Sequence, residues 1–235
     1  MLGKTALVVG ASGLVGQQLV KALLQDDTFT TVKLLVRRPY TVNHPKTEVQ
    51  LVDFDSLDDI TQKTGKGDVI FCCVGTTNKK VKGDKTAYRN IDHNIPFNVA
   101  WAGLKNGYEK YLLVSAVGAN AGSKNFYLQL KGEAEDDISN LHLHSLQIFR
   151  PSFLLGNRKE FRLGELFAKI LAKPMSIFLG GSFRKYKPVR DITLAKAMIA
   201  ASKKDCEGKF IYHYDDIINL SSETSAIKQS NNQTI

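Results

Sequence analysis

Three glycines directly after the first apolar run constrain this chain more than any other feature. Thr5–Val9 is a short, β-branched run that is typical of a strand buried on both faces. Gly10, Gly13 and Gly16 follow it, and Leu14–Leu24 then shows the apolar spacing of a helix. Such a turn presents backbone N–H groups and the positive end of the helix dipole to an anion. The pattern predicts a strand–turn–helix unit that binds the diphosphate of a dinucleotide.

The spacing of these glycines is G-x-x-G-x-x-G, related to the more familiar G-x-G-x-x-G, and it leaves room for a hydroxyl donor from Ser12. An ordinary tight turn between strand and helix is the alternative interpretation. The residues expected to hold the diphosphate are Gly10, Ser12, Gly13, Leu14, Val15 and Gly16.

Strand and helix patterns alternate along the rest of the chain. Strands are predicted at 31–36, 48–52, 68–74, 111–114 and 145–149, with helices at 56–64, 85–106 and 128–139. This alternation predicts an α/β fold with a doubly wound parallel sheet, that is, a single Rossmann-like domain over residues 1–220. Residues 151–220 form its small substrate-side part, with helices expected at 161–171 and 192–202 and an extended segment at 209–212. Residues 221–235 are polar and are predicted to be a flexible tail.

Composition excludes several classes of protein. No apolar run approaches the roughly 18 residues of a membrane span, and the first strand begins too early for a signal peptide, so we expect a cytoplasmic protein. The net charge is +9, but the lysines and arginines are spread along the chain. A phosphate-bearing cofactor explains that charge better than nucleic acid does. The three cysteines lack metal-ligand spacing, so no metal site is expected.

Two arginines occupy the position where such folds recognise the adenine ribose. Arg37 and Arg38 lie about 20 residues past the glycine turn, at the end of the second predicted strand. Arginine suits a 2′-phosphate, so we expect NADP(H) to be preferred and NAD(H) to be possible. The alternative is that the two arginines are merely solvated at the end of the strand and bind no phosphate. Asp53, after the third strand, is either an acceptor for the adenine amino group or a turn former.

Ser115, Tyr127 and Lys131 form a second constellation. Ser115 ends a predicted strand, and Lys131 lies one helical turn after Tyr127 on the same helix face. A tyrosine is a poor acid–base catalyst near neutral pH, but a nearby ammonium group stabilises its phenolate. Ser115 is then expected to hold the substrate oxygen. Without the glycine turn this spacing would be commonplace.

Taken together, these motifs resemble the short-chain dehydrogenase/reductase superfamily over about residues 4–220. The motifs that carry the resemblance are the glycine turn, Asp53, Val74-Gly75, Ser115, Tyr127-x-x-x-Lys131 and Arg150-Pro151-Ser-Phe-Leu-Leu-Gly156. Within the superfamily, segments 112–121, 126–135 and 148–158 look like the atypical group around the Tat-interacting metastasis suppressor. The resemblance implies a Rossmann-like fold and an NADP(H) site that includes Val74, Gly75, Thr76, Tyr127, Lys131, Arg150 and Pro151.

The chain departs from that family pattern at two points. Ser115-Ala116 stands where the family often has two serines, which leaves open which hydroxyl orients the substrate. Many relatives also place a proton-relay asparagine in the helix before the catalytic strand, and both Asn90 and Asn94 are candidates here.

The sequence therefore predicts an NADP(H)-dependent oxidoreductase acting on a small carbonyl or alcohol. A sugar-nucleotide epimerase or dehydratase is a second enzymatic option, although these usually need a larger C-terminal substrate lobe. The alternative from another class is an NADPH-binding regulatory or protein-interaction module with little or no turnover. A protein partner or a homo-oligomer is compatible with either function.

Overall fold

A seven-stranded sheet forms the centre of this computed structural model, which describes residues 3–77, 80–156 and 181–231. The strands are β1 Lys4–Val9, β2 Phe29–Val36, β3 Thr47–Leu51, β4 Val69–Cys72, β5 Lys110–Val114, β6 Ser145–Phe149, the short β7 Leu154–Leu155 and β8 Val189–Arg190, and β9 Gly208–Tyr212. The main sheet has the order β3-β2-β1-β4-β5-β6-β9, and every neighbouring pair is parallel. The predicted doubly wound α/β fold is confirmed.

Helices cover both faces of the sheet and bury a separate core on each. They are α1 Leu14–Leu24, α2 Leu57–Thr64, α3 Lys85–Arg89, α4 Ile95–Lys105, α5 Phe126–Ser139, α6 Asp191–Lys203 and α7 Tyr214–Asn231, with a 3₁₀ helix at Gly181–Tyr186. One core lies under α1, α6 and α7, and the other lies under α2, α4 and α5. No helix in the described part of the chain is long and apolar enough to cross a membrane.

Two sequence predictions need correction. The predicted helix 85–106 is interrupted by a π-helical turn at Asn90–Asn94. The start of the predicted flexible tail is helical, because α7 continues to Asn231 after Ile217 and Leu220 anchor its first turns in the core. Elsewhere the strands and helices lie within a few residues of their predicted positions, and Ser56 caps α2 as predicted. The helix predicted at 161–171 lies outside the described residues.

The strand order fixes where a ligand binds. From β1 the chain builds the sheet outward through β2 to β3, and then returns to place β4 on the other side of β1. The loops after β1 and β4 therefore leave in opposite directions and open a crevice at the carboxyl edge of the sheet. Gly10 follows β1 at this switch point, and Cys73 to Thr76 follow β4.

Candidate cofactor and active site

The glycine turn has the close backbone contacts that exclude side chains. Gly10 has a φ of +87°, and a Cβ there would lie 2.8 Å from the carbonyl carbon of Cys73. A Cβ on Gly16 would lie 2.1 Å from the carbonyl oxygen of Gly10, so only glycine lets α1 pack this tightly against the turn. Gly13 is the N-cap residue of α1, and because it has no side chain it leaves the helix N-terminus open to a ligand anion.

A cavity of about 380 Å³ extends from this turn to the end of β2. Its lining includes these predicted cofactor-binding residues: Gly10, Ser12, Gly13, Arg37, Arg38, Val74, Gly75 and Thr76. One end of the cavity is therefore lined by bare main chain, and the opposite end is lined by two exposed arginines. This arrangement fits a long ligand that carries phosphate at both ends. Lys80 and Tyr40 also line the cavity, although no sequence pattern singled them out.

Other predicted cofactor-binding residues lie outside this cavity. Leu14 is partly buried at the start of α1, Val15 is buried in the core, and Gly16 faces the turn. Asp53 lines an adjoining groove that shares Arg37 and Phe54 with the cavity. Its Oδ1 accepts a hydrogen bond from the Asp55 N–H at 3.0 Å, which is the turn-forming role. A role toward adenine stays a prediction.

Ser115 forms a cluster with the buried Glu135 and the partly exposed Arg150. The Ser115 hydroxyl donates to Glu135 Oε1, and the Arg150 guanidinium donates to both oxygens of the same carboxylate, with Nε 3.1 Å from each. Glu135 is only 1% exposed. Arg150 is therefore committed to Glu135, and the buried Pro151 accepts from the Val117 N–H with its carbonyl oxygen. Their predicted contact with the cofactor stays a prediction.

Lys131 makes an ion pair with a second buried carboxylate. Its Nζ lies 3.0 Å from Asp92 Oδ1, an oxygen that forms no hydrogen bond with any of the described residues. The other carboxylate oxygen, Asp92 Oδ2, accepts from the backbone N–H of Thr76 at 2.7 Å. Asp92 thus connects Lys131 to the loop that lines the cofactor cavity.

The two asparagines expected as relay candidates make other contacts. Asn90 donates to Asp55 at 2.6 Å, and Asn94 faces His93, with 2.9 Å between its Oδ1 and the ring Nδ1. Among the described contacts of this π-helical turn, it is Asp92, and neither of the two asparagines, that forms the ion pair with Lys131.

Tyr127 lies at the start of α5, which Asn125 caps by accepting from the Leu128 N–H at 3.1 Å. The Tyr127 ring is half-buried, with its centroid 6.2 Å from that of Tyr88. Gly132 explains how this helix approaches the Ser115 loop, because a Cβ there would lie 2.2 Å from the backbone of Asn120 and Ala121. The helix thereby brings Lys131 and Glu135 to the carboxyl edge of the sheet.

Burial dominates the electrostatics around these groups. It raises the pKa of the Cys72 thiol, which lies in β4 near the Lys131–Asp92 pair. Burial also lowers the pKa of His213, and the positive charge of Arg150 lowers it further. Both side chains are therefore favoured in their uncharged forms.

Sequence reasoning missed Asp92 and Glu135, the carboxylates that hold Lys131 and Ser115. Glu135 follows Lys131 by four residues and so shares its helix face, a spacing visible in the sequence. Asp92 had no comparable signal, because a π-helical turn sets its direction.

Comparison with known proteins gives consistent results. A family model described as NAD(P)H-binding matches residues 10–164. The rat protein HTATIP2 is 34% identical over 172 residues, which cover 72% of this chain and 70% of that protein. The mitochondrial protein FMP52 of Candida albicans is 32% identical over 227 residues, covering 92% of this chain and 97% of its own length.

Solved structures share the fold at lower identity. A UDP-N-acetylglucosamine 4-epimerase from Methanobrevibacter ruminantium superposes with a TM-score of 0.65 at 17% identity, covering 91% of this chain and 77% of the epimerase. MoeE5 in complex with UDP-glucuronic acid and NAD gives a TM-score of 0.67 at 14% identity, covering 94% and 82% of the two chains.

Proposed function

The chain belongs to the NAD(P)H-binding family as an atypical short-chain dehydrogenase/reductase, and from that premise we propose that it is an NADP(H)-dependent oxidoreductase acting on a small carbonyl or alcohol. One observation carries the proposal. The cavity of about 380 Å³ joins the bare main chain of the glycine turn to Arg37 and Arg38. The residues present fit the cofactor, because Gly10 and Gly13 line one end of the cavity with main chain alone, where a diphosphate would lie.

The arginines support NADP(H) as the preferred form. Both are exposed and line the cavity, and neither forms an ion pair with another described residue. A guanidinium grips a phosphate through two parallel hydrogen bonds, a contact that NAD(H) cannot offer at its 2′-hydroxyl.

The catalytic roles follow from the side chains around the crevice. When bound, the nicotinamide supplies or accepts the hydride. Tyr127 gives or takes the proton at its phenolic oxygen, and the Lys131 ammonium stabilises the phenolate. While Ser115 donates to Glu135, its oxygen still accepts, so it orients the hydroxyl of an alcohol substrate.

A second candidate function is an NADPH-binding module with little or no turnover. The observation that favours it is that Ser115 and Lys131 are each paired with a buried carboxylate of this chain. The sugar-nucleotide epimerase option has no comparable support from a side-chain contact. The cytoplasmic location expected from the sequence stays a prediction, and the FMP52 relatives are named mitochondrial.

Tyr127→Phe separates the two candidate functions. If the protein is an oxidoreductase, the variant should no longer consume NADPH with a panel of aldehydes, ketones and quinones, while its Kd for NADPH stays largely intact. Tyr88→Phe is the matched control, because it removes a hydroxyl from the neighbouring ring and should leave turnover unchanged. If the wild-type protein binds NADPH but no compound gives Tyr127-dependent turnover, the binding module is the correct function.

A further inference from the structure

We propose that Asp92 is a positioning residue that ties the cofactor-facing loop after β4 to the ammonium group of Lys131. Through this connection, cofactor binding and the placement of Lys131 depend on each other. The inference rests on the proposed function, because it names the group that holds the lysine of that site.

The geometry of Asp92 is that of a bridge between two elements. The residue is 1% exposed, and its two carboxylate oxygens face different partners. Oδ2 accepts from the Thr76 N–H at 2.7 Å, and Thr76 lines the cofactor cavity. Oδ1 lies 3.0 Å from Lys131 Nζ on α5. A movement of the loop is therefore transmitted to the lysine through a single side chain.

The π-helical turn explains why this carboxylate points inward. Asn90–Asn94 contains one residue more per turn than the α-helices on either side, which rotates the following side chains. Asp92 and His93 lie within this turn and are both buried, and Ile91 and Ile95 line the cofactor cavity. π-helical turns are rare in proteins, and many of those that occur lie at functional sites.

The buried Lys131–Asp92 ion pair is not expected to add much to the stability of the fold. Desolvation of two buried charges offsets most of their attraction, and an apolar pair of similar volume is often as stabilising. Lys131 is 3% exposed, so few water molecules can reach its ammonium group. The Asp92 carboxylate, 3.0 Å from Lys131 Nζ, supplies the opposite charge beside it. Asp92 Oδ1 also makes no directed hydrogen bond within the described residues, so it retains acceptor capacity on the Lys131 side.

Asp92→Asn tests this role, because asparagine keeps an oxygen for the Thr76 N–H but removes the charge that pairs with Lys131. We expect NADPH to bind roughly tenfold more weakly, within the range measured for coupled neighbouring residues. The emission maximum of bound NADPH should also shift as the lysine moves away from the nicotinamide end. Asp137→Asn is the matched control. Its carboxylate also joins the π-helical turn to α5, through His93 at 2.8 Å, but outside the cavity.

A double-mutant cycle with Lys131→Met separates a positioning role from a structural one. In the Lys131→Met background, Asp92→Asn should change the Kd by less than about twofold, because the group that Asp92 positions is absent. The double variant also carries no unpaired buried lysine, so it provides the measurement if the single Asn variant does not fold. A further tenfold loss in that background would show that Asp92 acts on the loop alone, which overturns the proposal.

The remaining outcomes are equally decisive. If the wild-type protein binds NADPH and Asp92→Asn binds it as tightly or more tightly, Asp92 does not position Lys131, and the proposed function stands. If the wild-type protein binds neither NADPH nor NADH, the proposed function fails, and this inference fails with it.

Discussion

Replacing Arg37 by alanine should weaken the binding of NADPH far more than that of NADH. Arg37 follows β2 directly, is exposed, and lines both the cofactor cavity and the groove beside it. It forms no ion pair with another described residue, so its guanidinium is available for a phosphate. The substitution removes this charge without creating a cavity in the core.

The size of the effect follows from the kind of contact that is lost. A hydrogen bond to a charged group contributes about 1.5–3 kcal/mol, which corresponds to roughly a 10- to 150-fold change in Kd. Because Arg37 is exposed, screening by solvent and salt places the expected loss near the lower end, about 10- to 30-fold for NADPH. NADH lacks the 2′-phosphate, so its Kd should change by less than about threefold.

Isothermal titration at one fixed ionic strength measures both values for the wild-type protein and the variant. Arg190→Ala is a suitable control, because it removes one positive charge from an exposed site that does not line the cavity. It should leave both Kd values unchanged. Equal losses for NADPH and NADH in Arg37→Ala would refute the assignment of this residue to the 2′-phosphate. An unchanged Kd for NADPH would refute it as well.

Three further perturbations test the packing and electrostatics of the site. Gly16→Ala places a Cβ 2.1 Å from the carbonyl oxygen of Gly10, so thermal unfolding should show a loss of about 1–3 kcal/mol, together with weaker NADPH binding. An unchanged melting temperature would contradict the tight turn. Glu135→Gln breaks a buried ion pair and should lower the melting temperature by roughly 6–20 °C, whereas Asp215→Asn, in an exposed pair, should lower it little. Equal shifts in these two variants would show that burial does not determine how much stability is lost when an ion pair is broken. Because burial lowers the pKa of His213 in the folded state, stability should decline as the pH falls below about 6.5, and His213→Gln should flatten that decline in urea titrations. A wild-type curve that is already flat between pH 7 and pH 5 would refute this assignment.

The amino-acid sequence by itself determined the fold and one end of the site. Alternating strand and helix patterns are local signals, and parallel strands joined by helices leave few topologies open. The three glycines mark a turn that must accept a positive φ and a close backbone contact, as the structure shows at Gly10 and Gly16. Arg37 could be placed near that turn because the carboxyl ends of parallel strands meet at one edge of the sheet.

Only the tertiary structure decided which groups hold the candidate catalytic side chains. Asp92 and Lys131 are far apart in the chain, and their pairing depends on a π-helical turn for which the sequence has no simple periodic signal. Glu135 was visible on the helix face of Lys131, but its bonds to Ser115 and Arg150 require three elements to converge. A sequence pattern reports the direction of a side chain within its own element. Contacts between elements depend on how tightly those elements pack, which here follows from the absence of a side chain at Gly132.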